Sequence, residues 1–213
     1  MRPKTLDHVA LWTADRDGIA ERAERELGMH VIERTDRFTL VGADARRGKL
    51  TLFEAEGPRV RGALLHVGLR VGRLDGRPTE VEAGDGLIVR LVEAPTDLDF
   101  DLDHVALLSR DPEATARAYV DYGFASAPPT DDGLPRVEVG GAYVEFHPGE
   151  PGDPDRPLLN HLAVLVDRAD DVRELGFDVA DVVDAPNTYA VFVWGPERVK
   201  IEYVEHKPTF SLV

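Results

Sequence analysis

The sequence contains no cysteine, which excludes disulfides, thiolate metal sites and cysteine nucleophiles. Histidine and carboxylate side chains are then the only strong metal ligands that the chain offers. Basic residues are in the minority, with 25 Lys and Arg against 40 Asp and Glu and a formal net charge of −15. This charge repels nucleic acid and anionic membrane surfaces, so we expect neither as a partner.

The 213 residues also lack an apolar run of membrane-spanning length and an N-terminal signal sequence. We therefore expect a cytoplasmic protein whose partner is a small-molecule substrate. A homodimer is one assembly that the sequence leaves open.

A short sequence string is repeated. LDHVAL occurs at residues 6–11 and again at residues 102–107, and two weaker copies read LLHVGLRV and LNHLAVLV. One histidine stands at the same place in all four copies: His8, His66, His104 and His161. Each copy is followed by a glutamate in a short apolar run: Glu54, Glu93, Glu145 and Glu202. The recurring order of His and then Glu predicts four modules in two matched pairs.

The hydrophobic pattern predicts the order of elements within a module. Residues 5–12 alternate like a strand, and residues 18–27 follow with a helical period that Gly28 should end. Three strand-like segments complete a βαβββ unit. The third module repeats this order, with a helix that Gly123 ends. The second module has the shortest interval between its His and its Glu and no room for a full helix, and the fourth has a short helix at residues 169–175.

These patterns predict an α+β fold in which tandem βαβββ modules pair into two open, curved mixed sheets with helices on the outer faces. We expect two domains. Residues 1–98 would hold the first two modules, of which the second is abbreviated, and residues 99–213 would hold the last two and the metal site.

Strand alternation indicates where the histidines point. Residues i and i+2 share one face of a strand, so each imidazole can face away from the helix while its neighbours pack beneath it. Two imidazoles and one carboxylate with open positions suit ferrous iron or manganese, whereas a second carboxylate favours zinc, nickel, cobalt or manganese as a Lewis acid. Burial of Glu145 or Glu202 without a cation would raise its pKa. The alternative is that these histidines and glutamates are solvated or hydrogen-bonded within the fold and bind nothing.

The first-strand motifs LDHVALW, LLHVGLRV, LDHVALLS and LNHLAVLV and the last-strand motifs TLFEAEG, RLVEAP, YVEFHPG and VKIEYVE resemble those of the vicinal oxygen chelate superfamily. This superfamily includes glyoxalase I, extradiol dioxygenases, methylmalonyl-CoA epimerase and the fosfomycin and bleomycin resistance proteins. The resemblance covers essentially the whole chain. It implies the vicinal oxygen chelate fold and chelation of adjacent substrate oxygens by a metal.

Four modules in one chain look most like the two-domain extradiol dioxygenases, whose iron ligands correspond to His104, His161 and Glu202. The segment YAVFVWGPERVKIE resembles their terminal motif. The acid–base His and Tyr that precede this Glu in that family have no counterpart here. Proton transfer would then use one of the groups Tyr189, Tyr143, His147 or His206.

Glu145 keeps a second interpretation open, because glyoxalase-like and epimerase-like members use a carboxylate at this place as a fourth ligand and base. Module pairing is a further alternative, since in some members the first module closes on the fourth. That arrangement would join His8, Glu54, His161 and Glu202. A second candidate metal set within the first half is His8, Glu54, His66 and Glu93.

The sequence therefore favours an extradiol-type dioxygenase that uses Fe(II) on a catechol-like or other vicinal-oxygen molecule. Mn, Zn, Ni or Co are alternative metals. The alternative functions are a redox-neutral lyase, isomerase or epimerase and a non-catalytic, antibiotic-binding protein.

Overall fold

The computed structural model describes residues 2–152 and 155–212. Within these residues, fifteen strands form two mixed sheets. The first module supplies β1 (Thr5–Thr13), β2 (His30–Arg34), β3 (Phe38–Gly42) and β4 (Lys49–Glu54), and the second supplies β5 (Leu64–Val71), β6 (Glu80–Gly84) and β7 (Leu87–Glu93). The third module supplies β8 (Asp101–Ser109), β9 (Ala125–Ser126), β10 (Arg136–Val139) and β11 (Ala142–Pro148), and the fourth supplies β12 (Leu159–Leu165), β13 (Val179–Asp184), β14 (Thr188–Trp194) and β15 (Lys200–His206).

The helices follow the predicted order. They are α1 (Arg16–Arg22), which continues as a π-helical turn over Ala23–Leu27, α2 (Pro112–Asp121), and the 3₁₀ segments Ala169–Leu175 and Pro196–Arg198. Asp15 and Asp111 begin α1 and α2, because each carboxylate accepts a backbone N–H from the first turn. Gly28 ends the first helix in the left-handed conformation, as predicted. Among the described residues the second module has no helix, which confirms the abbreviated module.

The sheets join modules from opposite halves of the chain. The eight-stranded sheet has the order β13-β14-β15-β12-β1-β4-β3-β2, and the seven-stranded sheet has the order β6-β7-β5-β8-β11-β10-β9. The first module thus pairs with the fourth and the second with the third. This corrects the predicted division at residues 1–98 and 99–213: each sheet takes strands from both halves, because the first strands pair as β1 with β12 and β5 with β8.

Each first strand contains a β-bulge immediately before its histidine. The antiparallel register of β1 with β12 and of β5 with β8 shifts by one residue at each bulge. A bulge places two neighbouring side chains on the same side of a strand. The bulged residues are Asp7, Leu65, Asp103 and Asn160, and each lies beside the histidine that follows it.

One hydrophobic core connects the two sheets. Its buried residues include Leu6, Val9 and Leu11 of β1, Val67 of β5 and Ile19 of α1. The helix α1 lies on β3 and β4 and also reaches β6 of the other sheet. The sheet faces that carry the histidines therefore stay clear of this core. None of the described helices is long and apolar enough to cross a membrane.

Candidate metal centre

His8, His161 and Glu202 come together on the open face of the eight-stranded sheet. His161 Nε2 lies 2.7 Å from Glu202 Oε2, and His8 Nε2 lies 3.2 Å from both the same oxygen and His161 Nε2. The side chains of His8, His161 and Glu202 are 13%, 4% and 8% exposed. We call these three residues the His–His–Glu cluster.

The bulged residues fix the tautomers of both imidazoles. Asp7 Oδ1 lies 2.7 Å from His8 Nδ1, and Asn160 Oδ1 lies 3.1 Å from His161 Nδ1. Because each oxygen accepts a hydrogen bond, each Nδ1 carries the proton and each Nε2 presents a lone pair. Two nitrogen lone pairs and a carboxylate then converge at the centre of the cluster. A cation at this point satisfies all three.

The ionisation of the cluster without a metal ion follows from the same contacts. Burial would lower the pKa of His8, but the nearby Glu202 and Asp7 carboxylates raise it to about 9. Burial would raise the pKa of Glu202, but His8 and His161 lower it to about 2. Burial lowers the pKa of His161, against the attraction of Glu202. At neutral pH one proton on His8 thus takes the place of a cation.

The spacing of the three atoms also fits a single metal ion. First-row ions bind imidazole nitrogen and carboxylate oxygen at about 2.0–2.2 Å, so ligand atoms at right angles lie roughly 3 Å apart. The observed separations are 2.7, 3.2 and 3.2 Å. Among the residues described here, this is the one group of three or more potential metal ligands within reach of a common ion.

Strand register identifies the residue at the place of a fourth ligand. In the fourth module Glu202 pairs with Ala163, two residues after His161. The residues in the same register elsewhere are Thr51 in the first module, Arg90 in the second and Glu145 in the third. The eight-stranded sheet therefore offers a threonine, not a second carboxylate. Glu54 lies three residues after Thr51, at the exposed end of β4, and its carboxylate is 3.8 Å from the Arg16 guanidinium.

The seven-stranded sheet carries a related pair, His66 and His104, whose Nε2 atoms are 2.9 Å apart. Asp103 accepts from His104 Nδ1 at 2.8 Å, but the bulged residue before His66 is Leu65, which cannot accept. His66 Nε2–H can therefore donate to His104 Nε2, and the pair is satisfied without a cation. Burial, followed by the charges of His104 and Arg90, lowers the pKa of His66 to about 3.

The structure does not bring together the first predicted metal set of His104, His161, Glu202 and Glu145. His104 and Glu145 belong to the seven-stranded sheet, because the third module pairs with the second. Glu145 lies 3.7 Å from Arg136 and 3.9 Å from His147. The set predicted for the alternative pairing was His8, Glu54, His161 and Glu202. The structure brings three of these together, and Thr51 takes the register position expected for Glu54.

The set predicted within the first half is also divided between the sheets. His8 and Glu54 lie in the eight-stranded sheet, whereas His66 and Glu93 lie in the other. Glu93 is exposed and accepts the backbone N–H of Leu74. The shared duplication made these residues equivalent in sequence without making them neighbours.

The predicted acid–base residues lie away from the His–His–Glu cluster. Tyr189 faces the opposite side of β14 and donates its hydroxyl to Asp170. Tyr143 and His147 belong to β11 of the other sheet, where His147 lies edge-on to His66. His206, which the sequence suggested as a further proton carrier, places Nε2 3.0 Å from Asp7 Oδ2 and so lies behind His8.

The sequence pattern did not identify Asp7 and Lys49 as residues of the site. Asp7 is 1% exposed and its Oδ1 binds Lys49 Nζ at 2.8 Å as well as His8. Burial would raise the pKa of Asp7, but Lys49, His206 and His8 hold it far below its usual range. The signal was present in the repeated string, because LDHVAL carries an Asp before the His in both copies.

Two cavities open beside the cluster. The first, the His161 cavity, has about 530 Å³ and is lined by His161, Phe53, Phe192, Trp12 and Lys200 among others. The second, the Trp194 cavity, has about 510 Å³ and shares Trp12, Asn160 and Lys200 with the first. The rings of Phe192 and Phe53 stand edge-on to His161, at 5.1 and 6.2 Å. The cluster thus faces a concave, partly aromatic space of small-molecule size.

No protein-family model and no curated protein matches this chain. Solved structures do match it. A Bacillus subtilis protein described as a "putative dioxygenase" has a TM-score of 0.76 and 15% identity, covering 98% of this chain and 87% of the other. Glyoxalase I from Zea mays has a TM-score of 0.70 and 13% identity, covering 95% and 92%. The cppA protein from Streptococcus pneumoniae has a TM-score of 0.61 and 16% identity, covering 95% and 98%.

At such low identity these similarities establish the fold and leave the reaction undetermined. They agree with the first-strand and last-strand motifs, with the two mixed sheets and with the histidines on the open faces. The chain has the vicinal oxygen chelate fold.

Proposed function

We propose that this chain is a metal-dependent enzyme of the vicinal oxygen chelate type, and specifically a dioxygenase that uses Fe(II) on a small molecule with two adjacent oxygens. The observation that carries the proposal is the ligand set. Two imidazoles and one carboxylate converge, and the register position of a second carboxylate holds Thr51. Three protein ligands of this kind on one face are typical of ferrous oxygenases, whereas a fourth carboxylate is typical of redox-neutral members.

In this proposal His8, His161 and Glu202 hold the ion, and Asp7 and Asn160 orient the imidazoles through Nδ1. A ferrous ion there would polarise two adjacent substrate oxygens and supply the electron chemistry that dioxygen requires. Phe53, Phe192 and Trp12 offer ring surfaces against which a planar substrate can lie.

Oxygen uptake tests the proposal. Iron-loaded protein is assayed anaerobically and then aerobically with a panel of catechols in an oxygen electrode. The proposal expects substrate-dependent oxygen consumption that Glu202→Gln abolishes together with iron binding. Thr51→Val is the matched control, because it alters the register equivalent of Glu202 without removing a proposed ligand, and it should keep both properties.

The other outcomes have distinct signatures. Turnover with zinc, nickel or cobalt and no oxygen uptake would replace the dioxygenase with a redox-neutral lyase or isomerase. Tight small-molecule binding by a protein that holds no stoichiometric metal would replace the enzyme with a binding protein.

A further inference from the structure

Lys200 lies at the wall between the two cavities. It is two residues before Glu202 on β15, so both side chains project from the same face of the sheet. Lys200 lines the His161 cavity and the Trp194 cavity alike. Lys200 and His161 line the same cavity, on the paired strands β15 and β12.

Lys200 differs from the other lysines of the chain. Lys4, Lys49 and Lys207 each form an ion pair, with Asp167, Asp7 and Asp184. Within residues 2–152 and 155–212, the ammonium group of Lys200 has no carboxylate within ion-pairing distance and no hydrogen bond. Burial lowers the pKa of Lys200, against the attraction of the more distant Asp181 carboxylate. Lys200 Nζ lies 5.1 Å from the centre of the Trp194 ring, a cation–π contact that leaves its three donors available.

Lys200 lies where the acidic wall of the His161 cavity meets the Trp194 cavity, which Arg156 and Arg198 also line. The acidic residues that line the His161 cavity are exposed at its mouth: Asp36, Glu54, Glu56 and Asp181. Their charge disfavours a negative group at the mouth, so a negative group that binds in this cavity is more stable beside Lys200 than among these carboxylates. In the Trp194 cavity the guanidinium of Arg156 lies 5.8 Å from the centre of the Trp12 ring. The carboxylate of Glu197 forms an ion pair with Arg110.

The walls at this point are flat and aromatic. Trp12 belongs to both cavities, Trp194 lies beside Lys200, and these are the 2 tryptophans of the chain. Indole faces bind planar rings better than they bind flexible aliphatic chains of the same area. An occupant that extends from the cluster to Lys200 should therefore be planar and carry its negative charge at the end away from the metal-binding oxygens.

We propose that Lys200 binds a carboxylate of the substrate, and that the substrate class is an aromatic carboxylate with two adjacent oxygens at its other end. This inference rests on the proposed function, because it assumes that the cluster serves the two oxygens. The charge-assisted hydrogen bond at Lys200 then fixes the orientation of the substrate in the cavity. Lys200 acts as a substrate-binding residue and takes no part in proton transfer here.

Isothermal titration calorimetry with two probes tests the inference. Protocatechuate has a carboxylate opposite two adjacent hydroxyl groups, and its amide is the uncharged counterpart of the same shape. Both are titrated into protein freed of metal and into zinc-loaded protein, neither of which consumes the probes. We expect the wild-type protein to bind protocatechuate about tenfold more tightly than the amide, as a single charge-assisted bond allows.

Substitutions assign this preference to Lys200. Lys200→Met should abolish it and leave the affinity for the amide unchanged, whereas Lys200→Arg should retain it. Lys4→Met is the matched control, because it removes the same charge from the far surface and should have no effect. Quenching of tryptophan fluorescence, which reports on Trp12 and Trp194, should accompany binding in every variant that binds.

The inference is overturned if wild-type protein fails to prefer protocatechuate to its amide, or if Lys200→Met keeps the preference. Failure of the proposed function looks different. In that case the zinc-loaded and metal-free proteins would be indistinguishable because no ion binds, while the effect of Lys200→Met on the metal-free protein would remain.

Discussion

The residue before each histidine decides what that histidine can do. Asp7 and Asn160 hold the Nδ1 protons of His8 and His161, so two Nε2 lone pairs face Glu202. Leu65 holds nothing, and His66 donates instead to His104. One position in a β-bulge therefore separates a cluster whose ligand atoms converge on one point from a pair in which one imidazole can donate to the other.

Asp7→Asn tests this role. The amide can still accept from His8 Nδ1, but it loses the negative charge that strengthens the imidazole as a ligand and that neutralises Lys49. We expect the affinity for a divalent ion to fall by about 10–100-fold, as for other residues that support metal-bound histidines. Calorimetric titration with zinc measures the change.

Asp103→Asn is the matched control for Asp7→Asn. Asp103 occupies the same bulge position and binds His104 in the same way, at 2.8 Å. Asp103→Asn should therefore leave the affinity for zinc unchanged. Equal losses in the two variants would contradict the assignment of the metal centre to the eight-stranded sheet.

Some of these residues were evident from the sequence and some were not. The four histidines and the terminal glutamates stand out because a strand repeats every two residues and the string LDHVAL is duplicated. The choice between His8 and His104 as partner of His161 was not evident, because their local sequences are identical. Thr51 escaped notice because the apolar run ends in the more conspicuous Glu54, three residues later.

At the scale of elements, the turn before β15 positions both Lys200 and Glu202. Glu197 and Arg198 lie there with φ angles of 53° and 56°, in the left-handed region that non-glycine residues seldom adopt. The carboxylate of Glu197 accepts from the Arg110 backbone at 2.9 Å and from its guanidinium at 2.8 Å. This tie to the third module offsets the backbone strain of the turn.

Replacing Glu197 separates the two effects. Glu197→Ala removes the charge-assisted bonds and keeps the strain, so we expect a loss of about 2 kcal/mol in the free energy of unfolding. Glu197→Gly removes the bonds and relieves the strain, so it should be about 1 kcal/mol less destabilising than the alanine variant. Urea denaturation followed by circular dichroism measures both. A glycine variant as unstable as the alanine variant would show that the turn is not strained.

The predicted elements largely agree with the structure, and the reasons are local. Asp caps, Gly28 and the alternation of apolar residues act over a few residues, so the helix ends and the strands could be identified from the sequence. The π-helical end of the first helix, over Ala23–Leu27, had no such local signal. Nor did the bulges, since they arise only when two first strands pair.

At the scale of the whole molecule, the pairing of modules determines which side chains meet. Pairing the first module with the fourth brings His8 to His161 and Glu202, and pairing the second with the third leaves His66 and His104 with Arg90 and Glu145. Both pairings bury the same strand faces, so the hydrophobic pattern of the sequence could not distinguish them. The distinction depends on contacts between segments far apart in the chain.

The buried histidine of the seven-stranded sheet should make folding sensitive to pH. The pKa of His66 is about 3 in the folded protein against an ordinary 6.5, so between these values the unfolded chain binds the extra proton. Stability from this residue is then complete above pH 6.5 and is lost as the pH falls toward 3. Between about pH 7.5 and pH 5 the loss should reach about 2 kcal/mol.

Urea denaturation at several pH values checks the contribution of His66. His66→Leu should reduce the fall in the free energy of unfolding between pH 7.5 and pH 5 by about 2 kcal/mol. His30→Leu is the control, because His30 is exposed, and it should leave the fall unchanged. Parallel curves for the wild type and His66→Leu would contradict the neutral, buried state of this imidazole.

The most direct test of the account is the metal content of the purified chain and of matched variants. After loading with Fe(II) under anaerobic conditions and removal of excess ion, elemental analysis should find about one ion per chain. His8→Ala, His161→Ala and Glu202→Gln should each reduce this to near zero, while His66→Ala and His104→Ala should leave it unchanged. Retention of the ion without His8 or His161, or its loss without His104, would contradict a metal centre formed by the first and fourth modules.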